Sequence, residues 1–283
     1  MKQIRKDKIV ERIKSLPVMS STVSELLRLI DDPEATAFQA EEVLRRDPNM
    51  TLDILKLTNS PYFGLPCRVG SVKQAVVLLG WKRLRQLVMI SCLGCMLGKP
   101  IPGYDLPAGE LWRHSIAVSV SAEGLAKEIN LPQAEEAFTA GLVHDLGKQV
   151  LGMLVKEETS KIEEVLTKGV SFVEAERKVL GTDHAEIGAL ILKKWSFPER
   201  MTTVVRWHHE PDRSEVKEEL VDIVHIANIL CLMIGIGVGR EGIRYNLSTE
   251  ALKRLGIKTA HLERVASQTK EWVDELTKNI REL

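Results

Sequence analysis

Residues 71–80 read Ser71-Val72-Lys73-Gln74-Ala75-Val76-Val77-Leu78-Leu79-Gly80, and the spacing predicts a helix with both of its ends marked. Ser71 with Gln74 three positions later matches a capping box, in which side chains satisfy the backbone N–H groups that a helix start leaves unpaired. Val76 and Leu79 recur at helical spacing, and Gly80 is placed as the C-terminal stop. The same punctuation continues outward: Thr22 with Glu25 and Thr36 with Gln39 match capping boxes. Asp47-Pro48 is an N-cap followed by proline at the first helical position, and Asn130 is a further stop. Leu26, Leu27 and Ile30 repeat the helical period, and strand signals are nearly absent. The expected fold is all-α, a multi-helix bundle.

The chain has 283 residues, 44% of them hydrophobic and 28% charged, an ordinary globular composition. Lys+Arg and Asp+Glu both number 39, so the net charge is zero and no basic block marks a phosphate-backbone footprint; nucleic acid is not expected as a partner. The start, Met1 to Lys8, is charged and no apolar run follows it, so neither a signal peptide nor a membrane span is expected, and the location is read as cytoplasmic. Ile223 to Gly239 is the most apolar stretch, yet it holds His225, Asn228 and several glycines and reads as a buried helix. Cys67, Cys92, Cys95 and Cys231 suggest no disulfide framework. Cys92-x-x-Cys95, with no second pair, reads as core packing before redox or zinc chemistry.

Gly98-Lys99-Pro100-Ile101-Pro102-Gly103-Tyr104-Asp105 lacks periodicity and is the candidate junction. Residues 1–103 are read as one helical subdomain, 104–240 as a second, and 241–283 as a helical extension, whose last stretch begins at the N-cap candidate Ser248. All seven histidines lie beyond the junction.

Within Gly141-Leu142-Val143-His144-Asp145-Leu146-Gly147-Lys148 an adjacent His and Asp interrupt an apolar helix. Burying such groups unpaired costs several kcal/mol, roughly 2–7 for a polar group, so the pair implies partners, either as a hydrogen-bonded core pair or as metal ligands. Further histidines stand in helical contexts on both sides, at His114, His184 and His208-His209. Imidazole with carboxylate suits iron, manganese, zinc and similar ions, and one bridging Asp among several His can hold two of them.

The order of His114, His144-Asp145, His184 and His208-His209 is similar to the ligand series of HD-domain phosphohydrolases, most closely the HD-GYP branch. That resemblance, over roughly residues 106–235, implies one or two divalent ions (iron, manganese, zinc or nickel). It also implies a further ligand at Glu110, one turn before His114, and catalytic roles for Asp145 and for Lys148 near a scissile phosphate. Two departures stand against turnover. Asn228 occupies the place where such enzymes supply a late aspartate, and Asp212-Arg213-Ser214-Glu215 follows His208-His209-Glu210-Pro211 where a Gly-Tyr-Pro element would stand.

The N-terminal half points to a nearer relative. Leu16-Pro17-Val18-Met19, Val43 to Thr51, Leu55 to Gly64, Ser71 to Ala75 and Leu79-Gly80 resemble in order and spacing the signature of HDOD proteins, bacterial signalling modules. The resemblance implies an HDOD half packed on an HD-type half. The implied function is a regulatory module with a retained metal site, acting through a signalling protein or nucleotide ligand, with a metal-dependent phosphohydrolase or phosphodiesterase as the alternative. His225 reads as a core histidine, His261 as solvated, and Trp207 as either a wall of the metal pocket or a packing residue. In Asn59-Ser60-Pro61-Tyr62-Phe63-Gly64, the cap-and-pack reading is preferred to a ligand loop.

Overall fold

The structure, a computed structural model, describes residues 9, 11–14, 19–242 and 244–278. Leu16, Pro17 and Val18 of the first HDOD-like element lie outside the described residues. Among the described residues there is no strand, only an isolated bridge between Ile101 and Leu106. The expected all-α architecture is what the chain forms. The contacts divide it into two compact units, Pro17–Met96 with Lys270–Leu283, and Leu97–Thr269 with Met1–Leu16.

The first unit contains α1 (Ser21–Ile30), α2 (Ala37–Leu44), α3 (Pro48–Thr58) and most of α4 (Val72–Leu97). Thr36 and Gln39 make both halves of the expected capping box, and Asp47 accepts the Met50 N–H at 3.0 Å with Pro48 at the first helical position. The Thr22–Glu25 box is corrected. Ser20 caps α1 instead, accepting the Val23 N–H, because the run Ser20-Ser21-Thr22 offers several caps and Ser20 is the one with an extended backbone. Glu25 is left to pair with Arg46 at 3.0 Å. Ser71 caps α4 as expected, but Gln74 accepts from Gly70 rather than from Ser71. Gly80 does stop the helix, at φ 81° and ψ 170°, and the chain resumes a helix at once.

Asn59 closes α3: its amide donates to Leu55 O and Val69 O, and its oxygen accepts the Val69 N–H at 2.7 Å. Tyr62 and Phe63 pack edge to face, which is the structural reading of that loop. Cys95 is exposed and Cys92 half-buried, so core packing describes only part of that pair.

The second unit is built on α5 (Glu110–Glu128), α6 (Ala134–Val143), α7 (Lys148–Glu157), α8 (Thr159–Leu166), α9 (Phe172–Leu180), α10 (His184–Lys194), α11 (Glu199–Trp207), α12 (Glu219–Met233), α13 (Thr249–Leu255) and α14 (Thr259–Lys278), the last running on past Thr269. At its centre α5, α6 and α12 pack on one another. Leu111 to Ala126 is buried except at Arg113, and Leu220 to Leu232 is buried throughout. Such helices cannot be amphipathic, because every face meets protein. Small residues let them approach: a Cβ at Gly141 would lie 2.8 Å from Ser119 Cα.

The expected apolar helix ends at Met233, and the chain then turns through left-handed glycines at 235 and 237. No helix among the described residues is long and apolar enough to cross a membrane. Asn130 takes a left-handed φ of 55° and ends α5, as its position predicts.

A candidate metal centre of histidines around Asp145

His144 and Asp145 do not sit inside a helix. They occupy the tight connection between the end of α6 and the start of α7 at Lys148, which aims both side chains at the core. The connection has to be this tight because α10 begins against it: a Cβ on Gly147 would fall 1.9 Å from the His184 carbonyl oxygen. His184 is the first residue of α10, placed there by Asp183, whose carboxylate accepts the Glu186 N–H at 2.7 Å as the N-cap. His208 and His209 follow the end of α11, and His114 comes from the first turns of α5.

These residues converge into two groups that share Asp145. His114, His144 and Asp145 form one; Asp145, His184, His208 and His209 form the other, the candidate ligand atoms of each lying within 4.8 Å of one another. The Asp145 carboxylate faces both ways. Oδ2 is 3.2 Å from His144 Nε2 and 3.6 Å from His114 Nε2, and Oδ1 is 3.4 Å from His184 Nε2 and 3.7 Å from His208 Nε2.

The rear nitrogens of four imidazoles are fixed. Nδ1–H of His114 donates to Ile236 O at 3.0 Å, that of His144 to Gly141 O at 2.7 Å, and that of His208 to Val205 O at 2.7 Å. His184 Nδ1–H donates to a carboxylate oxygen of Glu176 at 2.8 Å, and the same oxygen accepts the His184 backbone N–H. Tyr104 OH donates to the other Glu176 oxygen. Each ring therefore presents Nε2 inward, the tautomer that a metal ligand needs.

Burial and neighbouring positive charge hold His114 and His208 neutral, His114 down at about 3 and His208 at about 4. His209 is also pushed well down, first by burial and then by His208 and His184. His184 differs: burial would lower it, but the Glu176 carboxylate lifts it to about 9. Its Nε2 lies 2.8 Å from His209 Nε2, so one proton stands between the two nitrogens unless a cation takes its place. Asp145 stays ionised, because His144 and Lys148 outweigh its burial.

The residues fit a metal on the evidence of their own orphaned atoms. His144 Nε2, His208 Nε2, Asp145 Oδ1 and His209 Nδ1 are buried without a hydrogen-bond partner. An unsatisfied buried polar group costs about 1–3 kcal/mol, and several in one place call for a common partner. Divalent ions bound by imidazole and carboxylate would be that partner.

Not every expected residue joins the groups. Glu110 lies on α5 before His114, but it is in neither group; its Oε1 accepts the Gly237 N–H at 3.2 Å. Lys148 is 2% exposed, its ammonium donating to Asp145 Oδ2 at 2.6 Å and to Glu241 at 2.9 Å, contacts that outweigh its burial and raise its pKa. Asn228 is buried on α12 with Oδ1 unpartnered. His225 is a satisfied core histidine: Nδ1–H donates to the His208 carbonyl at 2.8 Å, and Nε2 accepts the Ser248 N–H at 3.0 Å. His261 is half-buried and accepts the Lys258 N–H. Trp207, half-buried under Arg206, lines a shallow groove with Leu190 and packs there.

Three residues of this centre carry no sequence motif. They are Glu176 behind His184, Glu241 on Lys148, and Tyr245, whose ring stacks on His209 at 4.1 Å between centroids. Acidic and aromatic residues at such separations become neighbours only once the helices have packed.

The model of the HDOD domain matches residues 16–211. An uncharacterized protein of Treponema pallidum is 30% identical over 233 residues, 78% of this chain and 43% of its own length. Ribonuclease Y of Thermus thermophilus is 28% identical over 154 residues, 54% of this chain and 20% of the ribonuclease. The chain thus spans less than half the length of these curated relatives. A Shewanella amazonensis protein described as a candidate phosphohydrolase superposes with a TM-score of 0.74 over 96% of this chain and 97% of its own, at 24% identity, a likeness of fold. With the family match covering well over half of the residues, the chain belongs to the HDOD domain family.

Proposed function

We propose that this HDOD protein is a signal-transduction module organised around two divalent transition-metal ions, held by His114, His144, His184, His208 and His209 and bridged by Asp145. The observation that carries the reading is the Asp145 carboxylate, buried, ionised and turned with one oxygen toward each group of inward-facing imidazoles. Output through a partner protein or nucleotide ligand is favoured because Lys148, the cation suited to meet a phosphate, is itself buried and occupied on both sides by Asp145 and Glu241. Elemental analysis after anaerobic purification with iron, manganese, zinc and nickel supplied tests the first part. One to two ions per chain are expected, and a metal-free product, or an unchanged content in Asp145→Ala, which removes the carboxylate both groups share, sinks it.

The convergence of the five histidines on Asp145 favours a second reading, a metal-dependent phosphohydrolase or phosphodiesterase. The ribonuclease Y and candidate phosphohydrolase relatives are of the same chemical class. The ions would supply Lewis-acid activation of a water and charge neutralisation at phosphorus. The chain's own share would be orientation of the imidazoles by Glu176 and the backbone carbonyls, and a cationic contact from Lys148 once it is freed from Glu241. Against it stand Asn228 and the missing Gly-Tyr-Pro element. Wild type, Asn228→Asp and His144→Ala are compared on cyclic dinucleotides, linear dinucleotides and nucleoside monophosphates. Weak or no hydrolysis is expected, and robust wild-type turnover abolished in His144→Ala establishes the enzyme instead.

A further inference from the structure

The two sides of Asp145 are not equivalent. On the Oδ1 side three imidazoles, those of His184, His208 and His209, gather around an oxygen that has no hydrogen-bond partner. One of the three, His184, is backed by the carboxylate of Glu176, which makes its inward nitrogen the most electron-rich of the set. On the Oδ2 side only His114 and His144 are present, both backed by neutral backbone carbonyls. Oδ2 itself already carries the Lys148 ammonium at 2.6 Å. Glu110, the carboxylate one turn before His114, is engaged by the Gly237 N–H.

We propose that the centre fills in a fixed order: the His184–His208–His209 side takes its ion first, and the His114–His144 side takes a second only in competition with Lys148 for Oδ2 of Asp145. The inference rests on reading the cluster as a metal centre. Donor count favours the first side, three imidazoles and a free carboxylate oxygen against two imidazoles and a shared one. Charge favours it too, because a cation bonded to Oδ2 and a buried ammonium hydrogen-bonded to the same atom repel each other at close range, with little solvent between them to screen the interaction. Glu241 sets how strongly Lys148 competes, since it pulls the ammonium from the other side at 2.9 Å. Occupancy of the second position, and with it any property that needs two ions, therefore depends on where Lys148 rests. A ligand that draws the ammonium away would load the second ion.

The test is equilibrium dialysis of the full chain, stripped of metal, against graded Mn²⁺, with stoichiometry by elemental analysis and electron paramagnetic resonance on the same samples. Wild type is expected to bind one ion at least about tenfold more tightly than a second, with an isolated-ion signal at one equivalent. His144→Ala should keep the first constant and lose the second. Lys148→Met should tighten the second constant by about tenfold or more, giving spin-coupled pairs at lower metal. Two equal constants in wild type, loss of the first ion in His144→Ala, or a second constant that Lys148→Met leaves within about twofold each overturn the order of filling while leaving the metal centre standing. No binding of Mn²⁺, Fe²⁺ or Zn²⁺ by wild type overturns the metal centre itself. Circular dichroism on each variant confirms that it is folded, and the wild-type titration decides the matter even if a variant is not.

Discussion

His225 and His208 are both buried imidazoles one hydrogen bond apart, yet only one has a nitrogen to spare. His225 uses both of its nitrogens within the protein, while His208 leaves Nε2 unpartnered and aimed at Asp145. His225→Ala should therefore lower stability by about 1–3 kcal/mol through the Ser248 N–H and His208 carbonyl left unmatched. Its metal content should be unchanged by elemental analysis; a halved content would make His225 part of the centre. Glu176→Gln keeps an oxygen for His184 but removes the charge, and about 10- to 100-fold weaker metal binding is expected by equilibrium dialysis. An unaltered constant would reduce Glu176 to packing.

The depressed imidazoles also set a pH dependence for the metal-free protein. His114, His208, His209 and His225 have folded pKa values below the ordinary 6.5, so the unfolded chain takes up protons first. Their contribution is full above 6.5 and is lost as pH falls, for His208 toward about 4 and for His114 toward about 3. His184 is raised, so its contribution is fully present below 6.5 and fades only as pH climbs through about 9. In chelator, the urea midpoint should be lower at pH 5 than at pH 7.5, and an equal or higher midpoint at pH 5 refutes this sign.

At the scale of elements, the helices were legible wherever a cap is local. Thr36 with Gln39, Asp47-Pro48, Ser248 and Asn130 act over three or four residues, and all behave as their sequence implies. Ser20 was not distinguishable from Thr22, because neighbouring hydroxyls compete and backbone angles decide between them. His144-Asp145 was legible as a chemical pair but not as an inter-helix turn, since Gly147 discloses its purpose only when α10 lies across it. Gly147→Ala should accordingly lower the melting temperature and the metal content together, because the added Cβ separates His184 from Asp145. A variant that melts early yet keeps full metal would show that the two groups tolerate being pushed apart.

For the whole molecule, ions bound only by the native state add their binding free energy to folding, about 2.7 kcal/mol at a free concentration one hundred times Kd. Chelator should lower the wild-type melting temperature, and an unchanged value would mean that the centre is not part of the fold's stability. Asp145→Ala should cost about 3–5 kcal/mol even without metal, because Lys148 is left as a buried cation with only Glu241 beside it. The five histidines and Asp145 could be found from sequence because their order along the chain follows a known series. Glu176, Glu241 and Tyr245 could not, since Glu176 meets His184 only across the turn between two helices and the other two reach their partners from a distant loop. The hydrogen bonds behind the four imidazoles have a spectroscopic consequence. Those Nδ1–H protons point away from any ion, into backbone carbonyls and one carboxylate, and water does not reach them. In ¹H NMR they should stand far downfield as slowly exchanging resonances. With diamagnetic Zn²⁺ they should shift without vanishing, one resonance for each ring, so the loading of each side can be followed separately in a single sample.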